Sequence, residues 1–297
     1  MSIFIPPKIS LDAIDTSIRT LPDLVDFHAK HNPQHLFCIQ TTRDHTFVSV
    51  SYENLQHAIV RCQARLREEC GLHAPTVDAD GKLKKCAPVA VLMESHIGLV
   101  IYVLACMGMG VPVMLLSARL SSAAVRHLLQ ETGAELVVAA LRLQGLASEA
   151  ISPSEGGTGA TIRVADEWEA LLKDTTDQGQ AMCAAAHAGH FASEEDRQVV
   201  ILHSSGTSGL PKPIPCSHRY FLGYATCHSF TSDAEARGLT ISTLPLFHVS
   251  FDMWYCTLNL ANHSTGLWLR GSLSLARGRK DSVHSASVNG SKWSISS

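Results

Sequence analysis

The segment Ile201–Lys212, ILHSSGTSGLPK, concentrates residue types that bind phosphate. An apolar run ends in His203 and is followed at once by Ser204, Ser205, Gly206, Thr207, Ser208 and Gly209, with Lys212 just beyond. Where Cβ atoms are absent, backbone N–H groups can crowd around anionic oxygens, and neighbouring hydroxyls add further donors. Lys212 offers a compact positive charge to the same group. The chemistry this composition serves is the clamping of a polyphosphate. A Ser- and Gly-rich surface turn has a similar composition, so the order of the residues has to separate the two readings. The Walker pattern is absent, because Lys212 does not follow a glycine and Pro213 comes next. The nucleophile elbow is absent, because Ser208 directly precedes Gly209. The dinucleotide fingerprint fails at Val113, where a third glycine after Gly108 and Gly110 is required.

Other reactive residue types are less informative. His28, His31 and His35 have helix-like spacing, but Asn32-Pro33 breaks the helix between them, which argues against a metal site. His187 and His190 lie in a stretch of weak periodicity, and no site is assigned to them. Cys106 and Cys216 read as small buried fillers, and Glu68 and Glu69 with Arg65 and Arg67 read as a solvated helix end.

A loop of this kind must hang on rigid elements, and the sequence supplies them in alternation. Leu36–Gln40 and Thr46–Val50 read as short strands around a polar turn. Ser51 caps a helix with Leu55, Ala58, Ile59, Cys62 and Leu66 on one face, closed by Gly71. Pro88–Met93 is a buried strand. Gly98–Leu116 carries no charge and has the hydropathy of a membrane span, but Gly108, Gly110 and Pro112 interrupt it. A helix from about Ser95 to Met109, a glycine turn and a buried strand Val111–Leu116 account for the same residues, so no membrane attachment is expected. Ser121 or Ser122 caps a helix that buries Val125, Leu128 and Leu129 and stops at Gly133, and Glu135–Ala140 is a further strand. Ile151–Gly159 is a loop by composition, and Asp166 can cap a short helix with Trp168, Leu171 and Leu172. Residues 174–196 read as a surface excursion, and Gln198–His203 restores a buried strand. This order of near-continuous apolar strands and amphipathic helices defines an α/β fold, with mostly parallel sheets flanked by helices.

Composition sets the outer limits. In 297 residues, 24 Lys and Arg against 27 Asp and Glu leave a net charge of -3, so no electrostatic footprint for nucleic acid exists. A hydrophobic fraction of 45% against 17% charged argues for a folded core. Nine Cys without a CxxC pair fit free thiols in a reducing, cytoplasmic setting better than a disulfide framework. The start MSIFIPPKISLDAID lacks the basic and apolar regions of a secretory signal.

Ser204–Lys212 resembles the phosphate-loop signature of the AMP-binding, adenylate-forming superfamily, which includes acyl-CoA synthetases, peptide-synthetase adenylation domains and luciferases. That family usually has Thr where Ser208 stands. PKPIP, residues 211–215, is similar to the fungal synthetase-like adenylating reductases. The stretch VAVLMESHIGLVIYVLACMGMGVPVMLL resembles the family's early helix and Pro-containing strand. ISTLPLFHVSFDMW, Ile241–Trp254, resembles the segment lining the acyl pocket, with His248 at the family's His position and Phe251 where a Gly is usual.

The resemblance implies a two-step reaction. A carboxylic acid attacks the α-phosphate of ATP, bound with Mg2+, to give an acyl-adenylate and pyrophosphate. A thiol, coenzyme A or the phosphopantetheine of a carrier domain, then takes the acyl group. Carried over by position, Ser204, Ser205, Gly206, Thr207, Ser208 and Gly209 would hold phosphate with Lys212. Lys212 and His248 would serve the reaction, His248 beside the acyl carboxylate. The resemblance covers about residues 15–265, which gives a division into a partial N-terminal AMP-binding domain, 1–265, and a Ser-rich tail, 266–297. The tail carries no sustained period and reads as disordered or as an artefact of the gene sequence. No adenine, ribose or catalytic-lysine segment of the family is recognisable after Trp254. The expectation is therefore a truncated chain, inactive alone, with a non-catalytic nucleotide- or acyl-binding protein as the alternative.

Overall fold

The computed structural model describes residues 18–42, 44, 46–76, 78–79, 83–153, 157–173, 197–204, 209–227, 239–242, 265–268, 283–288 and 291–296. Helix α1 (Leu21–His31) starts from a capping box in which the Thr20 hydroxyl and the Asp23 carboxylate each accept the other's backbone N–H. It ends at Asn32, whose side-chain amide contacts buried His28 at 3.1 Å. Among the described residues no group of His, Cys, Asp and Glu could hold a metal. Strands β1 (Leu36–Thr41) and β2 (Phe47–Ser51) form an antiparallel pair. Ser51 then caps α2 (Tyr52–Cys70), accepting the Asn54 N–H at 3.1 Å. Gly71 and Gly133 close their helices in the left-handed conformation, at φ 62° and 65°, as the sequence predicts.

The central sheet contains β3 (Val89–Leu92), β4 (Val113–Leu116), β5 (Leu136–Ala139), β6 (Thr161–Val164), β7 (Gln198–His203) and β8 (Pro213–Ser217) in the order β6-β5-β3-β4-β7-β8. All neighbours are parallel except β7 and β8. Strands buried on both faces need apolar residues at every position, which is why VAVL and VMLL show no alternation. The pleat nonetheless sorts them. Val89, Val91, Val113 and Leu115 face one core with α2 and α3 (Ile97–Gly108), whereas Ala90, Leu92, Met114 and Leu116 face a second core. That second core is built with α4 (Ser122–Thr132) and α5 (Gln144–Ile151).

Helix α3 is buried on every side from Ile97 to Met107, between the sheet and helices α1, α2 and α6 (Trp168–Leu172). A helix without a polar face belongs in a core, which explains the membrane-like hydropathy of this stretch. Among the described residues no helix is long and apolar enough to cross a membrane. A second sheet has the order β2-β1-β10-β9, with β9 (Leu239–Ser242) and β10 (Thr265–Trp268) parallel to each other and β10 parallel to β1. The division expected after residue 265 falls inside β10. Strands β11 (Val283–Val288) and β12 (Ser291–Ser296) pair antiparallel.

Two expectations change. Asp166 does not cap α6: the N-cap is Glu167, with no side-chain cap bond. Its carboxylate instead accepts from Arg65 at 2.6 Å, Arg163 at 3.1 Å and Tyr102 at 3.2 Å, joining α2, β6 and α3. Three charge-compatible donors outweigh the single N–H a cap would satisfy. The α2 end is likewise not simply solvated, because Glu69 binds Arg163 through both Nε and Nη2, at 3.0 and 2.5 Å. Burial alone would lower the Arg163 pKa, but Tyr102, Asp166 and Glu69 offset it and the net shift is upward.

Cys38, Cys62, Cys70, Cys86, Cys106 and Cys216 are free thiols. Burial pushes the Cys106 thiol up to about 12 and Cys216 to about 11, so both are packing groups rather than nucleophiles.

His218 begins α7 (His218–Cys227) and is buried, with Nδ1 lacking a hydrogen-bond partner among the described residues. Burial, assisted by the Arg197 charge, lowers its pKa from 6.5 to about 3. Between those values the unfolded chain holds a proton that the folded chain does not, so stability rises with pH there and is lost as pH falls from about 6.5. A single such group gives a limiting slope of about 1.4 kcal/mol per pH unit. Denaturant titrations between pH 4 and 7 should show this slope, and His218→Gln should flatten it. An unchanged slope in that variant would place the titration elsewhere.

Candidate functional site

The loop of interest leaves the carboxyl end of β7, a parallel strand registered on β4 through Val113↔Val200 and Met114↔Ile201. It returns as β8, with His203 opposite Pro213 and Ile201 opposite Pro215. Proline lacks an N–H and is confined to the edges of sheets, so β8 can only be terminal in the sheet order. Residues 204 to 212 thus connect two neighbouring strands.

The base of that connection is fastened twice. The Ser204 N–H donates to the Lys212 carbonyl at 3.0 Å, and the Lys212 N–H donates to Ser204 Oγ at 2.8 Å. The Ser204 hydroxyl oxygen therefore has a structural role, while its proton remains able to donate. Pro211 is buried, whereas Leu210 is 52% exposed and Lys212 is exposed. A cation at the mouth of a loop fastened in this way is placed to meet an anion arriving from solvent.

Gly209 has φ 151°, and a Cβ there would meet nothing within 4 Å. The backbone conformation, not space, requires glycine. Gly145 offers the contrast, since it lies inside α5, is open to solvent and has no unusual φ. Gly209→Ala is expected to destabilise the chain by about 1–2 kcal/mol, whereas Gly145→Ala should stabilise it by roughly 0.5–1 kcal/mol. Urea midpoints of the two variants check this. Shifts of the same sign would contradict it.

The other assigned residues divide simply. Ser204 and Lys212 are brought together at the loop base and Gly209 precedes Lys212 on the returning arm, while Ser205, Gly206, Thr207, Ser208 and His248 lie outside the described residues. Sequence reading did not assign a role to His203. Its Nε2 accepts the Ser117 N–H at 3.2 Å and its Nδ1 contacts the Ser204 carbonyl at 2.9 Å. The available signal was a polar residue closing the otherwise apolar strand that feeds the loop.

At the same carboxyl end of the sheet, toward its other edge, a cavity of about 250 Å³ is lined by Glu94, His96, Arg142, Asp166, Glu167 and Trp168, among others. It opens between β3 and β5, whose following helices pack on opposite faces, the topological position where open α/β sheets form crevices. Its charges are internally matched: Glu94 pairs with Arg142 and lies 3.9 Å from His96, and Asp166 pairs with Arg65 and Arg163.

The family model described as AMP-binding enzyme matches residues 25–277, and the chain belongs to that family. It is 43% identical over 240 residues to an adenylate-forming reductase of Aspergillus terreus, across 78% of this chain and 22% of that protein. It is 35% identical over 248 residues to a non-canonical non-ribosomal peptide synthetase of Acremonium egyptiacum, across 82% of this chain and 22% of that protein. The chain thus spans about a fifth of the length of these relatives. Among solved structures, a fatty acyl CoA synthetase of Mycobacterium tuberculosis superposes with a TM-score of 0.64 at 18% identity. That superposition covers 85% of this chain and 45% of the other, and at such identity the likeness is one of fold.

Proposed function

We propose that the chain takes part in ATP-dependent activation of a carboxylic acid to an acyl-adenylate, with the 204–212 loop clamping the terminal phosphates. The observation that carries this reading is the fastening of Ser204 to Lys212 directly after β7, within a sequence that fits the adenylate-forming family. Ser204, Ser205, Gly206, Thr207, Ser208 and Gly209 surround the phosphates, Lys212 neutralises charge, and His248 sits beside the acyl carboxylate. Positioning and charge stabilisation are then the loop's contribution to rate. Mg2+ enters as part of the nucleotide substrate. The names of the relatives, a reductase and a peptide synthetase, favour a thioester on a carrier's phosphopantetheine as the next step, with coenzyme A as the other thiol acceptor. Residues 1–265 are the portion of the domain that carries this function, in a cytoplasmic protein of fungal type.

The test is carboxylate-dependent exchange of labelled pyrophosphate into ATP, run beside calorimetric titration of ATP, GTP and pyrophosphate. Exchange, or selective binding of ATP with pyrophosphate as a competitor, supports the reading. Equal affinity for all three without exchange points to a non-catalytic polyphosphate binder. No binding of any of them removes the phosphate assignment.

A further inference from the structure

We propose that His203 is a positioning residue that holds the base of the 204–212 loop against the end of β4. This rests on the reading of that loop as a phosphate clamp. The backbone ladder between β4 and β7 is registered at Val113↔Val200 and Met114↔Ile201, short of both Ser117 and His203. Beyond those pairs the imidazole bridges the ends of the two strands. Ser117 N–H donates to Nε2 at 3.2 Å, so Nε2 must present its lone pair. In the neutral ring the proton then sits on Nδ1, which donates to the Ser204 carbonyl at 2.9 Å. Both His203 and Ser117 are buried, so these bonds replace water that neither group can reach.

Ser204 passes the constraint on. Its N–H and its hydroxyl oxygen engage the Lys212 carbonyl and N–H, respectively. Ser117, His203, Ser204 and Lys212 therefore form one hydrogen-bonded series from the end of a core strand to the Lys212 backbone at the loop base. Ser117 is itself held, because its hydroxyl oxygen accepts the Arg119 N–H at 3.2 Å. A phosphate clamp depends on donors fixed before the ligand arrives, and this series fixes both ends of the loop at once. No side chain with a single polar atom makes both bonds. Asparagine places an amide donor near the position of Nδ1, so it restores the bond to Ser204 without the bond to Ser117.

The experiment uses the full 297-residue chain with His203→Leu and His203→Asn, reading amide hydrogen exchange and pyrophosphate affinity. In His203→Leu, exchange at Ser204 and Lys212 should accelerate about tenfold and the pyrophosphate dissociation constant should rise about tenfold. Exchange at Val200 and Leu202 should not change. His203→Asn, which keeps the bond to Ser204 without the one to Ser117, should recover only a small part of either loss; full recovery would show that the link to β4 is not needed. Unchanged exchange at Ser204 and Lys212 in His203→Leu overturns the proposal. So does acceleration spread evenly through β7 and β8, which would make His203 a residue of the fold in general. If the wild-type chain binds no pyrophosphate, the phosphate reading falls, while the exchange data still decide whether His203 holds the loop base.

Discussion

Replacing Asp166 by alanine should lower stability by about 3 kcal/mol, because it strips the shared acceptor from Arg65, Arg163 and Tyr102 in a half-buried site. Each of those donors comes from a different element, α2, β6 or α3, and of the three Arg163 keeps a second carboxylate, Glu69, when this one is removed. Removing one member of a buried ionic group leaves the others desolvated, which costs more than the pair contributes. For a chain of this size the melting temperature should fall by roughly 5–10 °C. Glu69→Ala, which removes the more exposed arm of the same network, should cost about 0.5–1 kcal/mol. Thermal or urea unfolding of both variants checks the ranking. Equal effects would mean that Asp166 is screened by solvent and is not the hub.

The second large effect is expected at the phosphate loop. Lys212→Ala removes a charge-assisted contact of roughly 1.5–3 kcal/mol, so pyrophosphate binding should weaken about ten- to a hundredfold. Thr207→Ala removes a neutral donor, and a severalfold loss is expected from roughly 1 kcal/mol. Affinity for AMP should stay within about twofold in both variants, since a clamp on the terminal phosphates does not engage the α-phosphate. In kinetic terms the loss belongs to pyrophosphate exchange, and transfer of a pre-made acyl-adenylate to a thiol should be spared. Calorimetry with pyrophosphate and AMP separates the cases. Parallel losses for both ligands would show that the loop is not a dedicated polyphosphate clamp.

The parts of the fold that were legible in the sequence are those where one physical preference acts alone. Val89–Leu92, Val113–Leu116 and Leu136–Ala139 are buried strands because nothing but apolar contact surrounds them, and their runs are visible at once. Ser51, Gly71, Ser121 and Gly133 mark helix ends because capping chemistry is local. The elements that sequence reading passed over lack such signals. Strand β6, TIRV, is the opposite edge of the sheet and is only partly buried, so its apolar content is low. Helix α5 has no side-chain cap and buries only Ala147 and Ala150. Strand β8 contains two prolines that argue against a strand until its edge position is known.

The same distinction holds at the site. The loop was found because its residues are contiguous, from Ser204 to Lys212. The contribution of His203 was invisible because its partner Ser117 lies on another strand, and only the sheet order brings β4 beside β7. Asp166 was misassigned for a similar reason: a carboxylate just before a short helix suggests a cap locally, while its partners Arg65 and Tyr102 come from distant helices.

The most direct measurement is a titration of the isotope-labelled chain with pyrophosphate, followed by backbone amide chemical shifts. Saturable shifts should concentrate on residues 204–212, including Ser204, Gly209 and Lys212, and should disappear in Lys212→Ala while the spectrum remains that of a folded chain. Shifts centred on another part of the sheet, such as the cavity beside Glu94 and Arg142, or a saturable response that Lys212→Ala leaves intact, would contradict the assignment of this loop as the phosphate clamp.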